Sequence, residues 1–204
     1  MRLRILIGAA LLLTGAFAQA DVLGTANFKA MLSRSYFGYD MKHEEGKLTG
    51  GFFFTGRSPF VNVTKDSGGR WSGFFGGYNV IVKPAQVAGS TTTVDVTILQ
   101  IGQGTYTIEK AEDGSYQIRG FGTPGRLIIG GLKSGELSLL APSVNYGLRS
   151  SGEGRFEGLM SVYSPVFQSG NVTLNTTGSL DPTTLIESNP ELFTLLYLVS
   201  FAGI

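Results

Sequence analysis

From Ala26 to about Thr177 the chain is a succession of short runs with a period of two, broken by glycine turns. Thr91–Ile101 shows the pattern most clearly: Val94, Val96 and Ile98 fall on one side, Thr93, Asp95 and Thr97 on the other. Successive side chains of a strand point to opposite faces, so this alternation describes a half-buried strand. Thr105–Lys110 and Ser115–Phe121 flank Ala111-Glu112-Asp113-Gly114, where Asp-Gly accepts the positive φ of a tight hairpin. Further strands are expected at Phe28–Tyr39, Lys47–Thr55, Phe60–Lys65, Trp71–Phe75, Tyr78–Lys83, Arg126–Ile129, Glu136–Ala141, Val144–Arg149, Arg155–Tyr163 and Asn171–Thr176. Parallel pairing needs a crossover helix, and none fits between these runs. The expected fold is all-β: an antiparallel meander of roughly ten or more strands forming a barrel or sandwich.

A short echo runs through the meander. Gly69-Arg70-Trp71-Ser72-Gly73-Phe74-Phe75 and Gly154-Arg155-Phe156-Glu157-Gly158-Leu159-Met160 share Gly–Arg–aromatic–x–Gly–apolar–apolar, each with a Tyr three residues on. Gly46-Lys47-Leu48-Thr49-Gly50 matches the first part, and Gly125-Arg126-Leu127 less of it. The pattern suggests a strand that begins at a glycine turn. The second glycine would sit where the sheet bends or another backbone comes close.

The first twenty residues read as an address. Arg2 and Arg4 precede the apolar run Ile5–Leu13, and Ala18-Gln19-Ala20 supplies the small residues of a cleavage site. That is the pattern of a secretory signal peptide. The run is shorter than the about 20 residues a membrane-spanning helix needs. Removing residues 1–20 leaves 184 residues, enough for one domain, and turns the formal charge from +1 to −1. The chain has no cysteine. That excludes disulfides, thiolate zinc sites and a cysteine nucleophile, and it favours a bacterial envelope or secreted protein, periplasmic or released.

The C-terminal stretch has a different character. Asp181-Pro182 places a capping carboxylate before a first-turn proline, and Asn189-Pro190 repeats the arrangement. Leu192, Leu195, Leu196 and Val199 then follow helical spacing, with Phe193, Tyr197 and Phe201 on a second face. A short helix so apolar on most sides must be covered. The expected division is a leader over 1–20, a β-domain over 21–180, and a helical segment over 181–204 packed on or plugging that domain.

Catalytic chemistry is poorly represented. His43 is the sole histidine, in Lys42-His43-Glu44-Glu45-Gly46, a stretch that reads as a solvated hairpin tip. No G-x-S-x-G nucleophile turn and no phosphate-binding lysine motif occurs. Glu153 and Glu157 form one of several acid pairs, none in a context that would raise a carboxyl pKa. No catalytic residue, metal site or cofactor is expected, and the near-neutral charge gives no reason to expect nucleic acid. The most unusual stretch is Gly50–Tyr78, with Phe52, Phe53, Phe54, Phe60, Trp71, Phe74, Phe75 and Tyr78 alongside Arg57 and Arg70. Consecutive aromatics in a strand face both ways, so one face can be core while the other meets a ligand, lipid, partner or the C-terminal helix. Phe53, Trp71, Phe74, Tyr78 and Arg70 are the candidate ligand-binding residues.

The expected function is an exported, non-enzymatic β-domain binding an apolar small molecule, a lipid or an envelope protein. The alternatives are a small outer-membrane barrel, which would cross with strands because the mature chain has no transmembrane helix, and a carboxylate-dependent enzyme acting on glycans.

Overall fold

A computed structural model describes residues 23–54, 60–121, 127–133, 135–140, 144–163 and 167–199. The leader expected over 1–20 lies outside them, as do Gly125 and Arg126 of the weakest echo. The strands are β1 Gly24–Leu32, β2 Tyr36–Glu44, β3 Lys47–Phe54, β4 Phe60–Lys65, β5 Trp71–Phe75, β6 Tyr78–Val82, β7 Gln86–Ala88 and β8 Thr91–Ile98. They continue with β9 Gly102–Lys110, β10 Tyr116–Phe121, β11 Leu127–Lys133, β12 Glu136–Leu140, β13 Val144–Gly152, β14 Arg155–Val162 and β15 Gln168–Gly178. Two short helices follow, α1 Pro182–Ser188 and α2 Pro190–Phe193, and then a π-helical turn over Thr194–Val199.

All fifteen strands belong to one antiparallel sheet, ordered β6-β5-β4-β3-β2-β1-β15-β14-β13-β12-β11-β10-β9-β8-β7. The meander departs from sequence order at two ladders. One pairs β1 with β15 from Gly24↔Gly178 to Leu32↔Gly170. The other pairs β6 with β8 through Val80↔Ile98, Ile81↔Thr97 and Val82↔Val96. The same edge of β8 carries β7 lower down, through Gln86↔Thr93 to Ala88↔Thr91. Lys83-Pro84-Ala85 separates β6 from β7, because proline has no amide hydrogen to give a ladder. The freed Ala85 amide instead donates to Glu191 Oε1 of α2 at 2.7 Å.

The sheet thus wraps around a single core. Val94 and Val96 are buried and Thr93, Asp95 and Thr97 face outwards or partly so, as their alternation requires. The core also holds residues 191–199, every one of them buried. Asp181 caps α1 by accepting from the Thr183 amide at 2.9 Å, and Asn189 caps α2 by accepting from the Leu192 amide at 3.1 Å. Tyr197 then locks the segment in place. Its hydroxyl donates to the Leu180 carbonyl at 2.6 Å, and its carbonyl accepts from Tyr146 of β13 at 3.3 Å. Burial raises the phenol pKa at both tyrosines, which stay neutral donors.

The glycine echo is a structural device. Gly46, Gly69 and Gly154 take φ values of +65°, +82° and +62° in the turns before β3, β5 and β14. Four residues later in each unit, a Cβ on Gly50, Gly73 or Gly158 would lie 1.9, 2.2 or 1.8 Å from the carbonyl oxygen of Asp40, Asn62 or Gly147 on the neighbouring strand. Only glycine lets the two backbones approach that closely.

Three expectations are corrected. The run Phe28–Tyr39 is two strands, because the chain reverses at residues 33–35, where the Leu32 amide donates to the Ser35 carbonyl at 2.9 Å. No glycine or proline marks that turn. His43 is buried at 7% exposure rather than solvated, and its Nδ1 shares a hydrogen bond with Ser179 Oγ at 2.8 Å. Its alternation with Met41 on β2 turns it inwards. The single helix expected from Leu192 onwards is instead α2 running into a π-helical turn.

Candidate functional site: an apolar rim at one end of the sheet

Strand directions alternate, so the connections fall into two groups at opposite ends. Among the described residues, one end carries 33–35, 76–77, 99–101, Tyr163 and Phe167, and none of these is Asp or Glu. The opposite end carries residues 45–46, 66–70, 89–90, 111–115, 153–154 and the exit into α1, and includes Glu45, Asp66, Glu112, Asp113, Glu153 and Asp181.

Large exposed apolar side chains gather at the acid-free end. Among the described residues these are Met31, Tyr36, Phe53, Phe60, Leu99, Tyr163 and Phe167, while Leu159 lies mid-strand on the wall and Leu23 and Val87 lie elsewhere. The ladder register makes much of this group continuous on the outer face. Phe53 sits opposite Gly38 of β2, and Phe60 opposite Gly51 of β3. Met31 pairs with Tyr36 on one side and with Asn171 on the other, and Asn171 in turn pairs with Leu159. Phe60 stacks on Phe74 with ring centroids 4.5 Å apart, and Tyr163 tilts against Phe167 at 5.6 Å. Exposure reaches 70% at Met31 and 66% at Leu159. Apolar pairs thus line this end, Met31 with Tyr36, Phe60 with Phe74 and Tyr163 with Phe167, beyond the single scattered residues of an ordinary surface.

Aromatics next to one another do face opposite ways. Phe52 is buried while Phe53 is exposed, and Phe75 is buried while Phe74 turns to the outer face. The inner rings form a chain: Phe28–Tyr39 at 5.2 Å, Tyr39–Phe52 at 5.9 Å and Phe52–Phe75 at 5.2 Å. The C-terminal segment packs on this inner side, so it does not cover Phe53, Phe60 or Phe74.

The five residues singled out from the sequence separate accordingly. Phe53 and Phe74 lie on the outer face at the rim. Tyr78 begins β6 at the same end and is half-buried, opposite Phe75. Trp71 is wholly buried, with His43 5.8 Å from its ring and Lys65 Nζ 5.8 Å above it. Arg70 is at the other end, where its Nε donates to Asp66 Oδ2 at 3.0 Å. Met31, Tyr36, Phe60, Tyr163 and Phe167 were missed as site residues. The signal that finds them is the pairing of exposed apolar residues with acid-free connections, which needs the strand directions first.

The electrostatics of the wall differ from those of the rim. Outward charges pair across strands, Lys83 with Asp95 at 3.3 Å and Arg149 with Glu136 at 3.4 Å, and along β14, Arg155 with Glu157 at 2.5 Å. Hydrogen bonding holds the carboxyl groups of Glu44, Asp66 and Asp95 below the usual range, from Lys42, the Arg70 amide and Thr105 respectively. Two grooves of about 430 and 460 Å³ lie on this outer wall, over Gly104 between Asp95 and Gln103, and over Gly147 and Gly158 between Arg149 and Leu159. Among the described residues no cluster of His, Asp and Glu could hold a metal ion, and no helix is long and apolar enough to cross a membrane. No family model, no curated protein and no solved structure matches this chain.

Proposed function

We propose that the chain is an exported, non-enzymatic β-domain that binds an apolar partner through the rim around Tyr36, Phe53 and Phe60. The observation carrying this reading is the separation of two apolar populations. The inner one is consumed by the C-terminal segment, whose residues 191–199 are all buried. The outer one gathers mainly at one end, around Tyr36, Phe53, Phe60, Tyr163 and Phe167. Export is supported by the leader-like sequence of residues 1–20 and by the absence of cysteine. A partner at the rim, rather than a ligand inside, fits a core already filled by Leu192, Leu195 and Leu196.

The wall argues against the outer-membrane alternative. A membrane barrel turns an apolar band outwards and a polar lining inwards. Here Lys29, Asp40 and Lys42 face out while Phe28, Tyr39 and Met41 face in. The glycan-hydrolase alternative needs a carboxyl raised to serve as acid. The carboxyl shifts at Glu44, Asp66 and Asp95 run the other way.

The test is binding of a fluorescent hydrophobic dye to the exported protein and to the Phe60→Ser/Phe167→Ser variant. The wild type should bind the dye, and the variant should lose most of that binding at unchanged thermal stability. Equal dye binding by both proteins would contradict the rim as the binding surface.

A further inference from the structure

We infer that two copies of this chain associate through the outer wall over β13 and β14, with Leu159 of each copy seated in the hollow over Gly147 of the other. The contact is independent of the rim. Leu159 is 66% exposed in the middle of β14, with exposed polar residues on every side. Directly across the ladder from it, a Cβ on Gly147 would meet nothing within 4 Å. At other mid-strand glycines a neighbour already fills that position, as the Phe28 carbonyl does at Gly38 beside Phe53. The hollow belongs to the groove of about 460 Å³ that Ser138, Arg149 and Glu157 also line. An apolar knob and an open hole thus stand side by side on one face.

The ladder register says why the occupant is a second copy. One outward row reads Ser138, Gly147, Leu159, Asn171, and the next reads Glu136, Arg149, Glu157, Thr173. A twofold axis along the strands, midway between β13 and β14, exchanges these two strands between copies. It sets Leu159 over Gly147, Arg149 over Glu157 and Ser138 over Asn171, each twice. A knob meets a hole, a cation meets an anion, and a hydroxyl meets an amide. Such self-complementarity is what an isologous dimer requires. Arg149 and Glu157 already hold ion pairs within their own chain, to Glu136 and Arg155, so the contact extends an alternating network. Facing sheets lie about 10 Å apart, and a long side chain over a glycine fills that gap without a clash. The contact involves fewer than the roughly 20–30 residues a side of a standard interface, so the dimer is weak and reversible.

The test is sedimentation equilibrium of the exported protein between about 10 µM and 1 mM, where a weak contact dissociates. The average mass should climb towards that of the dimer. Leu159→Ser and Gly147→Leu should each weaken association at least about tenfold, with thermal unfolding unchanged because both positions face solvent in the single chain. Arg149→Glu should weaken it, and the Arg149→Glu/Glu157→Arg exchange should restore it. The Phe60→Ser/Phe167→Ser variant should associate as the wild type does. A monomer at every concentration would overturn the proposal, and so would a dimer that either Leu159→Ser or Gly147→Leu leaves intact. A charge exchange that fails to restore association would overturn the twofold. Association lost only in the Phe60→Ser/Phe167→Ser variant would place the contact at the rim and overturn the proposal equally.

Discussion

At one end of the sheet Gly46, Gly69 and Gly154 reverse the chain in left-handed turns, with Glu45, Asp66 and Glu153 beside them. At the other end the described turns lack acids and Phe60, Tyr163 and Phe167 stand exposed. The strands between are shared, so the difference comes from what each end must do. The glycine end brings backbones together and anchors the C-terminal segment through the hydrogen bond between His43 and Ser179. The rim end leaves apolar area in water, which folding alone would not favour. If the rim binds as proposed, stability and binding separate along the strand axis, and substitutions at the two ends should fail in different ways.

The largest effect is expected at a close backbone approach. Gly158→Val would drive its Cβ into the Gly147 carbonyl, and a loss of more than about 4 kcal/mol should abolish cooperative thermal unfolding. The glycine whose carbonyl it would strike provides the control. A Cβ on Gly147 meets nothing within 4 Å, so Gly147→Ala should unfold within about 0.5 kcal/mol of wild type. Leu196→Ala removes apolar volume from the buried C-terminal segment and should cost about 2–5 kcal/mol in urea denaturation.

A smaller effect concerns acid. Burial, and then Lys65, lowers the His43 pKa from 6.5, so the unfolded chain takes up a proton more readily than the folded one. That contribution is complete above 6.5 and is lost as pH falls from there through the folded value. Denaturation midpoints should decline across that window at no more than about 1.4 kcal/mol per pH unit, and His43→Gln should flatten the decline. The smallest stability effect belongs to the rim. Phe60→Ser and Phe167→Ser should each change unfolding by no more than about 0.5 kcal/mol while removing binding. A large loss of stability there would erase the distinction between the ends.

Much of the fold was legible because alternation is local. Phe60–Lys65 and Trp71–Phe75 were read from sequence with the bounds they have in the structure, and the Asp181-Pro182 cap was visible as a pair. The turn at residues 33–35 was not, because Leu32-Ser33-Arg34-Ser35 carries no turn residue with a special φ. The β6–β8 and β1–β15 ladders, which wrap the sheet, join segments that no local pattern connects. The site was half legible for the same reason. Phe53 and Phe74 were drawn from a run of aromatics, but so was Trp71, which the same alternation turns inwards. Tyr163 and Phe167 join them only through strand pairing and direction.

The chain contains no cysteine, so an introduced one carries a label uniquely. Tyr163→Cys at the rim and Glu112→Cys at the glycine end would each take an environment-sensitive dye. On addition of uncharged dodecyl maltoside micelles, the label at position 163 should shift to the blue and the label at position 112 should not move. Equal shifts at both ends, or a shift at 112 alone, would contradict the account that the acid-free apolar rim is the surface this protein uses.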